Sequence, residues 1–229
     1  MSHCIAGDGS YFVSASDDGT VKMWQHLSVA AYADDATMEL QDEPSLAQAR
    51  VTYSSQSGRI LDVCTYGGSG ALATASDAGS IHCIAMVDGG VVRLRRIAPN
   101  EGSVTKLSTV PGQPDLLIYA TEGGSIHCAD KRSPVDAWCC QNLAPYGLTT
   151  GIVVGMGAEW LAASTSRGFV SIWDMRFQLK VDTWRHPSCS PIYAMSAANP
   201  PPIGQRRGAH GSRAPCIALA TAGAEVSGT

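Results

Sequence analysis

The chain has 229 residues, enough to bury a substantial core, and its composition excludes several protein classes. Only 16% of the residues are charged, 45% are hydrophobic and 24 are glycine, which favours many short strands joined by tight turns over long helices or disorder. The formal net charge of −4 gives no electrostatic reason to expect direct binding to nucleic acid or to an anionic membrane.

The amino-terminal segment and the cysteines predict an intracellular protein. Residues 1–6 lack a basic stretch followed by an apolar run, so no signal peptide is recognised. No stretch approaches the roughly 20 apolar residues that a membrane-spanning helix needs. Cysteines sit inside predicted strands, as at Cys64, Cys83, Cys128 and Cys216, so reduced thiols are expected instead of a disulfide framework.

One short phrase recurs four times along the chain: small residues end a strand, a glycine turn follows, and a β-branched strand comes next. The turn glycines are separated by 60, 45 and 44 residues, and they are Gly19, Gly79, Gly124 and Gly168. A period near 44 residues with a closing Trp-Asp predicts the four-stranded blades of a WD-type β-propeller. Such propellers usually serve as docking platforms.

The first unit contains strands near 3–6, 11–16 and 21–24, and no residues remain for an earlier outer strand. Each later unit is expected to open with its outer strand, and these lie near 50–54, 91–96, 137–142 and 179–184. The fifth unit continues through 191–197 and 216–221 and stops just after Val226. The predicted fold is therefore all-β, a partial WD-repeat β-propeller over 1–229 with three complete four-stranded blades flanked by two incomplete ones. We expect an arc of a larger ring, because closure is what removes the reactive sheet edges.

Two insertions interrupt the repeat. Residues 28–48 are rich in alanine and acidic residues, and residues 198–214 are rich in proline, glycine and arginine. Three consecutive prolines cannot supply the donors of a strand ladder. Both segments are therefore expected to be loops on the rim of the propeller.

The residues that suggest chemistry favour strand positions instead. Two His-Cys pairs, His82-Cys83 and His127-Cys128, occupy equivalent places in successive repeats, but adjacent strand residues point to opposite faces. Cys139-Cys140 lacks the spacing of a redox pair. We expect no metal site, no cofactor and no catalytic residues.

Three residues of the first repeat, Asp18, Ser14 and Trp24, match the hydrogen-bonded set that ties many WD blades together. Later repeats replace the aspartate, so the set is degenerate and stability is expected to depend more on apolar packing. Trp24 and Trp173 are predicted to pack between blades, because aromatic side chains on closing strands fill the wedge between sheets.

The most specific stretch follows the fourth repeat. Trp173-Asp174-Met175-Arg176-Phe177-Gln178-Leu179, followed by His186-Pro187-Ser188, resembles the C-terminal WD-repeat region of the phosphoinositide 3-kinase regulatory subunit 4 family. Gly58-Arg59-Ile60 and Asp130-Lys131-Arg132-Ser133 also match. The resemblance covers most of the chain outside the two insertions.

This resemblance implies a scaffold of the class III lipid kinase complex, acting in autophagy and endosomal or vacuolar sorting. The implied partners are the lipid kinase catalytic subunit and a beclin-type subunit, and the implied location is cytoplasmic and peripheral on endosomal or autophagic membranes. The family carries a kinase-like domain, but this chain contains neither a Gly-rich phosphate loop nor a His-Arg-Asp loop. We therefore expect a non-enzymatic module, with Asp18, Trp24, Trp173, Asp174, Arg176 and Phe177 as structural or interaction residues.

Two other functions stay open. The pattern Trp173-Asp174-x-Arg176 also marks WD proteins that act as substrate receptors of cullin-type ubiquitin ligases. Its partial recurrence at Asp130-Lys131-Arg132 favours a simpler role in fixing a turn. A phosphopeptide reader that uses Arg167 and Arg176 is the third alternative.

Overall fold

The computed structural model describes residues 2–5, 11–25, 49–54, 56–67, 70–198, 216–221 and 226–228. This part of the chain consists of antiparallel strands, tight turns and two short 3-10 turns. The strands belong to two compact units, Met1–Pro99 and Asn100–Thr229.

The first unit contains two four-stranded sheets whose strands follow one another in chain order. Its first sheet contains β1 (Ser2–Ile5), β2 (Tyr11–Ala15), β3 (Val21–Gln25) and β4 (Val51–Tyr53). Its second sheet contains β5 (Ile60–Tyr66), β6 (Ala71–Ser76), β7 (Ser80–Ala85) and β8 (Val91–Arg96).

The second unit contains two four-stranded sheets and one three-stranded sheet. The first is β9 (Val104–Val110), β10 (Gln113–Thr121), β11 (Ser125–Asp130) and β12 (Asp136–Gln141). The second is β13 (Thr149–Val154), β14 (Trp160–Thr165), β15 (Phe169–Asp174) and β16 (Leu179–Arg185). The third is β17 (Ile192–Ala198), β18 (Cys216–Thr221) and β19 (Val226–Gly228).

The predicted fold class, all-β with blades of antiparallel strands, is confirmed. The predicted grouping of strands into blades is wrong by one strand. β4 pairs with β3, with Val21 opposite Tyr53, although residues 50–54 were predicted to open the second blade. In each four-stranded sheet the outer strand hydrogen-bonds to the strand before it in the chain, so it is the last strand of that sheet and not the first strand of the next one. The described residues therefore form four complete four-stranded sheets and one three-stranded sheet, instead of three complete and two incomplete blades.

The recurring glycine is required by the turn between the second and third strands of a sheet. At Gly168 φ is +78°, and the Gly168 amide donates to the Thr165 carbonyl at 3.1 Å. A Cβ built there would lie 2.6 Å from the Ser190 carbonyl oxygen. Any residue with a side chain would therefore be both strained and blocked at this turn.

Apolar side chains pack between neighbouring sheets within each unit. In the first unit, Val13, Val21 and Met23 of the first sheet meet Leu72 and Ile84 of the second. In the second unit, one cluster joins the β9–β12 and β13–β16 sheets, and another joins the β13–β16 and β17–β19 sheets. Burial of these faces from water stabilises the stacking of sheet on sheet.

The first predicted insertion, 28–48, lies outside the described residues, and so does the second, 198–214, except for Ala198, which ends β17. Among the residues that the structure describes, no helix has the length and apolarity required to cross a membrane.

Candidate interaction surface around the Trp-Asp turn

Trp173 lies in the apolar cluster between two sheets of the second unit and is only 2% exposed. Its neighbours in that cluster include Ile118 and Ile126 of one sheet and Leu161 of its own. The Lys180 ammonium lies 4.9 Å from the centre of the Trp173 ring, and partial burial lowers the pKa of that lysine. The side chain of Trp173 therefore packs in the core next to the site and is not available to a partner.

Asp174 and Arg176 form a closed clamp at the end of β15. The Arg176 side chain donates to both Asp174 carboxylate oxygens, through Nε at 3.2 Å and Nη2 at 2.7 Å. The backbone amides of Arg176 and Phe177 donate to Asp174 Oδ1 at 2.9 and 3.3 Å. These hydrogen bonds, with that of the Arg176 side chain the largest, lower the pKa of Asp174 to about 2. The same pair raises the pKa of Arg176, so both groups stay charged.

The same clamp occurs at the end of β11. The backbone amide of Arg132 donates to Asp130 Oδ1 at 2.8 Å, and its Nη2 donates to Asp130 Oδ2 at 2.6 Å. Asp-x-Arg thus fixes the turn into the outer strand in two successive sheets. Its recurrence favours a structural role for Asp174 and Arg176, since a binding motif has no reason to appear twice with the same internal contacts.

Three of the side chains that follow the clamp are large, apolar and exposed to solvent. Phe177, Leu179 and Val181, which we call the β16 ridge, are 69%, 64% and 66% exposed. Leu179 and Val181 both lie on β16, where the pairing with β15 shifts register between Lys180 and Asp182. β16 is the outer strand of its sheet. Large apolar side chains clustered on an outer strand are typical of an interaction surface.

Arg167, the other residue of the phosphopeptide hypothesis, donates through Nη1 to the Pro145 carbonyl at 2.9 Å. Arg176 is occupied by Asp174, as described above. Both guanidinium groups already have acceptors within the chain, so neither is poised for a phosphate.

In the first unit, Trp24 and Asp18 make separate hydrogen bonds within one sheet. Trp24 Nε1 donates to Ser14 Oγ at 3.0 Å across β2 and β3. Asp18 accepts from the amide and the hydroxyl of Thr20 at 2.9 and 2.7 Å, and these bonds lower the pKa of its carboxyl. The structure therefore brings Ser14 and Trp24 together, while Asp18 is engaged within its own turn.

Later sheets carry polar ties that the sequence interpretation missed. Gln56 is buried before β5, accepts from Thr74 Oγ1 at 2.5 Å and donates to the Ser80 carbonyl at 3.0 Å. Glu101, before β9, likewise accepts from the hydroxyls of Thr121 and Ser125. Each tie joins the loop that enters the inner strand to the second and third strands. The only signal in the sequence is a polar residue a few positions before an inner strand, in a loop of otherwise unremarkable composition.

In each His-Cys pair the imidazole contacts another side chain, and the cysteine is buried. The phenolic oxygen of Tyr53 lies 2.6 Å from His82 Nδ1, and the Asp136 carboxylate lies 3.0 Å from His127 Nδ1. Burial raises the pKa of the neighbouring thiols, Cys83 to about 11 and Cys128 to about 12. Within the described ranges no group of three or more His, Cys, Asp or Glu side chains is placed to hold a metal ion.

No protein-family model matches the chain. Serine/threonine-protein kinase VPS15 of Arabidopsis thaliana is 26% identical over 212 residues, which cover 86% of this chain. The probable serine/threonine-protein kinase vps15 of Dictyostelium discoideum is 29% identical over 213 residues, or 85% of the chain. The chain is similar to the VPS15 proteins over most of its length. The resemblance inferred from the sequence is thereby confirmed, since VPS15 is the family that includes phosphoinositide 3-kinase regulatory subunit 4.

The chain spans only a small part of these VPS15 relatives, 13% of the Arabidopsis protein and 9% of the Dictyostelium protein. WD repeat-containing protein 81 of Danio rerio is also similar, with 27% identity over 79% of this chain. The described residues form strands and turns, and they contain no kinase domain. The kinase named in the VPS15 relatives therefore has no counterpart among the described elements.

Proposed function

We propose that the chain is a non-catalytic WD-repeat interaction module of a VPS15-type regulatory subunit in a class III phosphatidylinositol 3-kinase complex, acting in autophagy and endosomal or vacuolar sorting. The observation that carries the binding role is the β16 ridge, three large exposed apolar side chains of which two lie on an outer strand and one in the turn before it. The VPS15 relatives support the identity of the complex.

The partners that we propose are the lipid kinase catalytic subunit and a beclin-type subunit. Apolar side chains exposed on a firm base can form the buried centre of an interface, where aromatic anchors contribute most. The Asp174–Arg176 clamp supplies that base, because it holds the turn immediately before Leu179. The module would reach endosomal and autophagic membranes from the cytoplasm, peripherally and through these partners.

The proposal is tested by measuring the affinity of the 229-residue chain for the purified catalytic and beclin-type subunits. A double variant, Leu179→Ser with Val181→Ser, removes most of the β16 ridge. The matched control is Val135→Ser with Met156→Ser, because these two side chains are as exposed but lie outside the ridge. We expect the ridge variant to bind at least about tenfold more weakly and the control to bind unchanged, as expected for the loss of interface anchors. Failure of the unmodified chain to bind, or equal losses in both variants, would contradict the proposal.

The receptor of a cullin-type ubiquitin ligase remains the alternative. Recognition by the ligase through Arg176 would require this side chain to leave Asp174 or to act through Nη1, which lies 3.9 Å from Glu159 Oε1. Recovery of a ligase adaptor together with the chain, with no lipid kinase subunit, would favour that alternative over the scaffold.

A further inference from the structure

Three side chains of the second unit line up across β11 and β12. The Cys139 sulfur lies 3.9 Å from His127 Nε2, and Asp136 Oδ2 lies 3.0 Å from His127 Nδ1. His127 and Cys139 are directly opposite one another in the antiparallel register. The order thiol, imidazole, carboxylate is the arrangement by which proteins activate a sulfur nucleophile.

The imidazole is held in the orientation that this chemistry needs. A carboxylate accepts hydrogen bonds, so a hydrogen on His127 Nδ1 is directed to Asp136, and this leaves Nε2 on the side of the ring that faces the Cys139 sulfur. The Tyr119 ring stacks on the imidazole with 4.8 Å between centres and 9° between planes. The Tyr119 hydroxyl also donates to Asp136 Oδ2 at 3.3 Å.

Glu101 completes the surroundings of the imidazole. Its Oε2 lies 3.7 Å from His127 Nε2 and accepts from the Thr121 hydroxyl at 2.5 Å. Partial burial, together with the charges of Glu101 and Asp136, raises the pKa of the Cys139 thiol. The resting group is therefore the thiol, and a base within reach is needed for it to react.

Three other cysteines of the second unit have different surroundings. Cys128 and Cys140 lie in the apolar cluster between sheets, and burial raises the pKa of Cys140 to about 11. Cys189 is exposed, but it lies in a turn where the neighbouring His186 Nδ1 contacts Ser188 Oγ. Cys139 is both exposed and within 3.9 Å of an imidazole nitrogen.

We propose that Cys139 is a thiol–disulfide exchange site that reacts with small disulfides, with His127 as general base and Asp136 as the carboxylate that orients it. As the Cys139 sulfur attacks one sulfur of the reagent, its proton passes to His127 Nε2. The disulfide bond of the reagent breaks, and its other sulfur leaves as a thiolate that takes the proton back from Nε2. Cys139 is thereby oxidised to a mixed disulfide, and half of the reagent is reduced to a thiol.

The test uses the reduced 229-residue chain and hydroxyethyl disulfide, a neutral reagent. Peptide mass spectrometry gives the rates of modification at Cys139 and Cys189 in the same sample. We expect Cys139 to react at least about tenfold faster than Cys189, and His127→Gln to remove about tenfold or more of that rate, because a positioned base typically contributes 10²–10⁴-fold. Asp136→Asn should slow Cys139 in the same direction and leave Cys189 unchanged.

The buried thiols report on folding in each sample. Cys83 and Cys128 are buried and should stay unmodified in a folded variant, so a variant in which they react is replaced by the other substitution of the pair. The proposal is overturned if Cys139 reacts no faster than Cys189 in the unmodified chain. It is also overturned if the rate at Cys139 is the same in a folded His127→Gln or Asp136→Asn variant.

Discussion

Replacing Trp173 by alanine should destabilise the second unit by about 4 kcal/mol. Trp173 is almost completely buried between two sheets. A buried aromatic side chain removes roughly 150–250 Å² from water, which at about 25 cal/mol per Å² corresponds to about 4–6 kcal/mol. Large-to-small replacements of Phe or Trp in cores cost about 3–5 kcal/mol, in agreement with that range.

Lys180 adds to the loss. Its ammonium lies against the Trp173 ring and near the Tyr146 ring, at 4.9 and 5.2 Å from their centres. Without the indole, this partly buried cation loses one of its two aromatic faces. Trp173→Phe keeps a ring at the position and should therefore cost clearly less than Trp173→Ala.

The measurement is urea unfolding followed by circular dichroism, because the substitution removes a fluorophore. Phe177→Ala is the matched control, since this aromatic residue lies only four positions away and is largely exposed. Its free energy of unfolding should change by no more than about 0.5 kcal/mol. If the two alanine variants shift the unfolding midpoint equally at unchanged m-value, the inferred packing role of Trp173 is wrong.

Three further outcomes are expected. The pKa of Asp174 is about 2 in the folded chain and about 3.9 in an unfolded one, so its contribution to stability is present above pH ~4 and is lost as the pH falls through about 2. An NMR titration of the Arg176→Ala variant should show a higher pKa for Asp174 than in the unmodified chain, and an unchanged pKa would exclude the clamp as its cause. Ser14→Ala should lower the free energy of unfolding in urea by about 1 kcal/mol, because Trp24 Nε1 loses its acceptor. As the control, the same substitution in a Trp24→Phe background should leave that free energy unchanged. Gln56→Leu should cost about 1–3 kcal/mol because its buried hydroxyl and carbonyl partners lose their bonds, and a neutral result in the same assay would refute the inferred tie.

The recurring turn carried enough information to predict the fold class from the sequence. Gly168 shows why: the position requires a positive φ and has no room for a Cβ, so the residue type reports the backbone geometry directly. The assignment of outer strands was less secure. The sequence of residues 51–53 fits the first strand of one repeat as well as the last strand of another. Only the hydrogen-bonding partners distinguish these two assignments, and a linear pattern does not contain them.

The candidate site was predictable only in part. The placement of Trp173 follows from a large aromatic residue on a strand between sheets, whereas the exposure of Leu179 and Val181 depends on what covers the outer strand. The sequence of β16 shows which of its residues are apolar but not whether they are buried. The contact between His127 and Cys139 was missed for a related reason, since it arises from cross-strand register between residues twelve positions apart.

The internal repetition of a motif helps to distinguish structure from recognition. Asp174–Arg176 and Asp130–Arg132 make the same backbone and side-chain contacts at the ends of equivalent strands, so the charged groups of both satisfy one another. The segments after the two clamps differ: the first clamp leads into the exposed apolar β16 ridge, and the second leads into a turn before β12. Under the proposed binding role, a partner that discriminates between blades would therefore recognise Phe177, Leu179 and Val181 beyond the clamp and not the Trp-Asp-x-Arg pattern itself.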